Sequence, residues 1–193
     1  MNIFKRSAAE LKNVRCLAVT GMLIAVYVVL KAYATVDFAP TLRITFAYFA
    51  LAAIGMLYGP VVAVVAAIPC DLLGMLLRGG GGGQVLWGLT LVYMFQGLVY
   101  GIFLYDFELK KSLIKNVKLI VAQGIVILFS QLVLNTTVLY LYGFIGGADE
   151  TIRILISARV VKNLVEFPVS VMLMYMILVP IRVAYSRVFK EVA

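Results

Sequence analysis

Long apolar stretches alternate with short polar ones along this chain, and six of them are long enough to cross a bilayer or nearly so. They cover residues 16–36, 43–58, 60–77, 85–105, 117–144 and 152–183. Each reads as a helix, because a segment in hydrocarbon must satisfy its own backbone hydrogen bonds. The second and third are separated only by Gly59-Pro60, a tight reversal suited to two adjacent helices. The last stretch carries a polar exception near its start. Arg159, Lys162, Asn163 and Glu166 recur at i, i+3, i+4 and i+7, which is one helix face, ahead of the almost wholly apolar residues 167–179. Two cations, an amide and a carboxylate on one face are costly in lipid, so this face turns toward a bundle interior and a polar or charged ligand.

Composition agrees with the pattern. Of the 193 residues, 64% are hydrophobic, and the mean hydropathy is +1.05, beyond what a soluble domain of this length shows. The expected fold is an all-α integral membrane protein, with six transmembrane helices in one bundle. Residues 1–193 form a single domain that opens with a short basic segment, 1–15. No secretory signal followed by a soluble domain is visible, since apolar spans continue to the end. Cys16 and Cys70 lie far apart in or beside apolar segments and read as free, buried thiols. The chain has no His, which removes the commonest metal ligand and general base.

The net charge of +8 raises the question of nucleic acid, but its distribution answers differently. Lys5, Arg6, Lys12 and Arg15 precede the first span. Lys110, Lys111, Lys115 and Lys118 lie between the fourth and fifth, and Arg182, Arg187 and Lys190 follow the sixth. These are eleven of the 17 Lys and Arg, all on one side of a six-span topology. Both termini are therefore expected in the cytoplasm, and the charge is a topology signal, with no nucleic-acid partner.

With that orientation, depth follows at 1.5 Å per helical residue. Arg43 opens the second span at the outer face. Asp71 lies roughly 9 Å below the outer end of the third, and Asn135 roughly 13 Å below that of the fifth. Arg159 and Lys162 reach similar depth, and Glu166 lies deepest, without an assigned role. Asp71 either pairs with Arg159 or Lys162 as a buried ion pair, or helps line a pocket. Asn135 either joins helices or faces that same pocket. Convergence of four spans at one depth favours the pocket, and the excess of cations favours an anionic ligand, whose carboxylate an Arg holds in a bidentate fork.

Residues 78–84, an Arg followed by five Gly and Gln84, are not a P-loop, because no Gly-Lys-Ser/Thr follows. They are either a mobile lid or a loose connector. Trp87 either stacks on a flat ligand or belongs to the interfacial aromatic belt; for Tyr93 belt or core is favoured. Ala18, Gly21 and Ala25 on the first span, and Gly59, Ala63 and Ala67 on the third, form small-residue faces for close packing, within the bundle or against another membrane protein. No Walker motif, nucleophile–base pair or metal-ligand cluster is present, so no catalytic residue, metal or cofactor is expected, and energy for any pumping comes from elsewhere.

These residues also carry a resemblance. The chain contains Pro40-Thr41-Leu42-Arg43-Ile44-Thr45-Phe46, Gly55-Met56-Leu57-Tyr58-Gly59-Pro60, Asp71-Leu72-Leu73-Gly74 and Gly88-Leu89-Thr90-Leu91. It continues with Gly97-Leu98-Val99-Tyr100-Gly101, Leu134-Asn135-Thr136 and Ala158-Arg159-Val160-Val161-Lys162-Asn163-Leu164. Together they resemble the substrate-binding S components of prokaryotic energy-coupling factor (ECF) vitamin transporters, specifically the folate branch. Two departures lie near the expected pocket wall. Residues 85–91 replace the family's frequent aromatic-Pro-Gly-Phe-Thr-Leu, and Val138 stands where a Trp is frequent.

The resemblance implies six helices in the cell membrane and an outward-facing vitamin pocket, with no ATPase activity in the chain itself. It implies association with a transmembrane T component and two cytoplasmic ATPases, docking through Ala18, Gly21, Ala25, Ala63 and Ala67, and toppling during transport. The expected ligand is folate. Arg43 and Arg159 would favour its glutamate tail, Asp71, Asn135, Lys162 and Asn163 its polar edges, and Trp87 its ring. The alternatives are an S component for another vitamin or metabolite, such as pantothenate or a queuosine precursor, and a non-transport membrane scaffold.

Overall fold

The computed structural model describes residues 3–39, 42–77, 87–105, 117–142 and 149–190. A short helix α1 (Ile3–Glu10) leads into α2 (Val14–Tyr33), which Asn13 caps by accepting the Arg15 backbone N–H at 3.1 Å. Next come strands β1 (Thr35–Ala39) and β2 (Leu42–Thr45), then α3 (Tyr48–Tyr58), α4 (Pro60–Leu77) and α5 (Trp87–Leu104). Helix α6 (Val117–Ile125) runs through a π-helical segment, Val126–Leu134, into α7 (Asn135–Leu141). The chain closes with α8 (Asp149–Lys190). Cys16 and Cys70 are buried free thiols, as expected.

Five helical segments are long and apolar enough to cross a membrane: Val14–Tyr33, Pro60–Leu77, Trp87–Leu104, Val117–Leu141 and Ser157–Val188. The second expected span differs. Its helix has 11 residues, about 16 Å of rise, against a hydrocarbon core of about 30 Å. The missing length is a β-hairpin, a departure from an all-α fold. Thr35 pairs with Thr45, Val36 with Ile44, and Asp37 with Arg43. β-Branched residues at four of these six positions favour a strand, and mutual pairing satisfies the backbone where helix is absent.

Helix α3 is the hub: all of it except Leu57 is buried. A helix apolar on every side suits a position enclosed by others. On one side Tyr48, Phe49, Ala52 and Met56 pack with residues of α5, α6 and α8. On another, Ala50 and Leu51 pack with Tyr27 and Val28 of α2 and Ala67 and Cys70 of α4.

At its C-terminal end α3 stops at Gly59, whose φ of +86° requires glycine. Pro60 then begins α4 without needing the N–H it lacks. Ser7 of α1 completes the turn. Its Oγ donates to the Tyr58 carbonyl at 2.7 Å and accepts from the N–H groups of Val61 (3.0 Å) and Val62 (3.3 Å).

The tightest seam lies between α4 and α5. A Cβ at Gly97 would come 2.8 Å from the Ala63 carbonyl oxygen, and one at Gly101 would collide with Pro60 backbone. Ala63 and Ala67 are fully buried. Both were expected at a docking face; in this structure residues of α2 and α5 pack against them. Ala18, Gly21 and Ala25 do lie on an exposed face of α2, and a Cβ at Gly21 would meet nothing within 4 Å. Gly101→Ala should therefore destabilise the protein by about 1–3 kcal/mol through overpacking against backbone. Gly21→Ala should stay within about 1 kcal/mol of wild type. Thermal melting of the two variants in detergent checks the contrast, and equal melting points would contradict the seam.

Candidate functional site

The polar groups expected to meet fall into two clusters. The first is centred on Asp71 of α4, which is completely buried. Its Oδ1 accepts from Lys31 Nζ at 2.8 Å, and its Oδ2 accepts from Thr90 Oγ1 at 2.7 Å. The carboxylate thus joins α2, α4 and α5. Its partner is Lys31, not Arg159 or Lys162. The ammonium also faces the rings of Tyr93 (4.6 Å to the centroid) and Tyr27 (5.7 Å), which meet edge to face. Gly74 leaves room for the Lys31 stem, since a Cβ there would collide with its Cδ. Lys31 escaped the sequence reading, although a lone Lys eighteen residues into an apolar helix is itself a signal that a buried anion lies opposite.

The second cluster follows the polar face of α8. Arg159, Asn163 and Glu166 are buried and Lys162 is half-buried. Arg159 Nη1 donates to Thr136 Oγ1 at 2.8 Å. Thr136 follows Asn135, which is half-buried at the start of α7. The π-helical segment just before it widens the turn and alters which residues of the following helix face α8; such segments are frequent at functional sites. Thr136 was missed because its neighbour Asn135 drew attention as the stronger hydrogen-bonding group. Gly88 of α5 closes the adjoining wall, where a Cβ would come 2.8 Å from Val138. The smaller Val138, in place of a Trp, is matched there by a glycine.

Lys162 Nζ stands 3.1 Å from Glu166 Oε2, one turn farther along α8. Beyond Glu166 the polar groups satisfy one another. Tyr100 Oη donates to Gln123 Oε1 (2.8 Å), Gln123 Nε2 donates to Ser170 Oγ (3.0 Å), and Ser170 Oγ donates to the Phe167 carbonyl (2.8 Å). Tyr48, at the start of α3, lies within electrostatic reach of both Glu166 and Ser170. This belt ties α5, α6 and α8 together at the C-terminal end of that polar face.

Two expected members stand apart. Trp87, the first residue of α5, is 62% exposed. Arg43 is paired with Asp37 in the hairpin register, but its side chain lies outside the described residues. The glycine-rich residues 78–84 lie outside them as well. Among the described residues no group of His, Cys, Asp and Glu has the makings of a metal site.

Removing one partner of the Asp71 pair leaves a buried charge without compensation. Lys31→Met should cost about 3–5 kcal/mol, and adding Asp71→Leu should restore much of it. A double-mutant cycle on melting temperature reads this coupling, and additive losses would contradict the pair.

The geometry has relatives among known proteins. The family profile described as "ECF transporter, substrate-specific component" matches residues 15–178. A folate transporter FolT of Clostridium novyi (strain NT) is 27% identical over 165 residues, covering 86% of this chain and 88% of that protein. A folate transporter FolT of Leuconostoc mesenteroides subsp. mesenteroides is 29% identical over 166 residues, covering 86% and 85%. A crystal structure of FolT bound with folic acid superposes with a TM-score of 0.71 at 28% identity, over 84% of this chain and 92% of that one. With the profile spanning most of its length and the polar face of α8 lying inside the matched region, this chain belongs to the family of substrate-specific components of ECF transporters.

Proposed function

We propose that this protein captures folate at the outer side of a prokaryotic cell membrane and delivers it through a T component powered by two cytoplasmic ATPases. In this reading residues 1–193 form one domain with six spans, α3 and its hairpin serving as the second. Both termini are cytoplasmic, and the chain needs no cofactor or catalytic group of its own. The carrying observation is the polar face of α8, with Arg159 on Thr136 and Lys162, Asn163 and Glu166 beside it, in a chain that superposes on a folic acid-bound FolT.

Folate has a flat pterin at one end and a glutamate with two carboxylates at the other. Arg159 serves the anionic tail, and Arg43 is assigned there too. Asn135, Lys162 and Asn163 serve polar edges. Asp71 acts by positioning, since Lys31 and Thr90 already occupy both of its oxygens. Trp87 is kept as a candidate for ring contact at the rim. The exposed small-residue face of α2, at Ala18, Gly21 and Ala25, serves as the surface for the T component.

Purified protein should bind folate with high affinity in the absence of ATP, as read by calorimetry. Arg159→Ala should weaken binding at least about tenfold, equivalent to about 1.4 kcal/mol. Failure to bind any folate form, with pantothenate or a queuosine precursor bound instead, would overturn the assignment of ligand.

Binding and docking separate in a second measurement. Gly21→Leu should leave folate affinity in detergent unchanged while abolishing both co-purification with the T component and folate uptake by cells. Undiminished uptake would remove α2 from the docking surface.

A further inference from the structure

Among the described residues two carboxylates are buried, Asp71 and Glu166, and they differ in what they have left to offer. Both oxygens of Asp71 accept hydrogen bonds from neighbouring helices. Glu166 is only 7% exposed, and its charge is balanced by Lys162 at 3.1 Å. Yet that approach falls outside hydrogen-bonding geometry, and Oε2 accepts no hydrogen bond among the described residues. A buried carboxylate has several lone pairs, and leaving them unfilled costs far more than leaving them to water. Such a group is prepared for a donor that arrives from outside.

We propose that Glu166 is a specificity-determining residue that accepts hydrogen bonds from the 2-amino group and the neighbouring N3–H of the pterin. This rests on the folate reading above and extends it to the orientation of the ligand. The 2-amino-4-oxo edge is the one part of folate that presents two adjacent N–H donors, spaced to match the two oxygens of a single carboxylate. No other described residue on this face matches it. Arg159 and Lys162 only donate, and Asn163 has one accepting oxygen.

The position fits as well. Glu166 lies seven residues beyond Arg159 on the same face of α8, about 10 Å farther along the axis. The long Arg159 side chain extends that span in the outward direction. An elongated ligand lying along α8 therefore places its ring at Glu166 and its carboxylates at Arg159. The belt of Tyr100, Gln123 and Ser170 closes the space beyond, because its members bond to one another. Lys162 remains the counter-ion beside Glu166 when the pterin is absent.

The test compares three ligands, folate, pteroate (no glutamate) and 2-desaminofolate (no 2-amino group), on wild type and on Glu166→Gln. On wild type, 2-desaminofolate should bind at least about 100-fold more weakly than folate, because a site built for a donor rejects the analogue lacking it. Glu166→Gln should weaken folate and pteroate by the same factor, about 10- to 100-fold, and weaken 2-desaminofolate less, since only its N3–H still donates. Arg159→Ala should weaken folate and spare pteroate.

Wild-type affinity for 2-desaminofolate within threefold of folate would overturn the assignment, as would an equal loss of all three ligands in Glu166→Gln. The wild-type arm decides even where the variant does not fold. Wild-type protein that binds no folate at all sinks the folate reading itself, and this assignment with it. Protein that binds folate but ignores the 2-amino group sinks the assignment alone.

Discussion

A charge can be carried inside a bilayer only if an opposite charge or a set of hydrogen bonds goes with it, and the Lys31–Asp71–Thr90 contact is where this chain meets that condition. The consequences spread in two directions. The contact joins α2, α4 and α5 at one point, and Gly74 is kept free of a side chain so that the Lys31 stem can pass. Four residues after Lys31, Thr35 Oγ1 donates back to the Lys31 carbonyl at 2.8 Å and begins the hairpin, so the ion pair also anchors the hairpin's entry. Because both oxygens of Asp71 already accept from its neighbours, the polar face of α8 is left as the place where charged groups retain more capacity for something else.

The same small-residue pattern meets two different ends. On α4, Pro60 and Ala63 meet the Gly97–Gly101 face of α5 at backbone contact, and Ala63 and Ala67 are fully buried within the bundle. On α2, the face of Ala18, Gly21 and Ala25 stays uncovered. Spacing is identical in kind; only the neighbour differs. Van der Waals contact between backbones drives association in lipid wherever a complementary small face is available. Within one bundle that face is supplied to α4 and withheld from α2.

The stripe on α8 also gains a direction. Beyond Glu166, the hydrogen bonds among Tyr100, Gln123, Ser170 and the Phe167 carbonyl form a closed set. Polar groups bonded to one another offer no continuing row of sites, whereas those between Arg159 and Glu166 lie on a single helix face. The arrangement suits holding a ligand from one side of the bundle better than leading it through.

Much of this was legible in the chain because hydrophobic length and helical period are local properties. The third span, residues 60–77, coincides with α4, and the Gly59-Pro60 reversal forms as expected, since φ preference and a missing N–H are written in those two residues. The face shared by Arg159, Lys162, Asn163 and Glu166 likewise follows from 3.6 residues per turn. What a side chain touches across forty residues does not follow from any period. The partner of Asp71, the use of Thr136, the burial of Ala63 and Ala67 and the exposure of Trp87 depend on which helices adjoin and at what rotation. The hairpin had a local signal in its β-branched residues, but strand pairing needed a second segment in register to win over helix. Sequence alone therefore determined which residues are costly to bury; the tertiary packing decided which of them are satisfied by one another and which are left with capacity for a ligand.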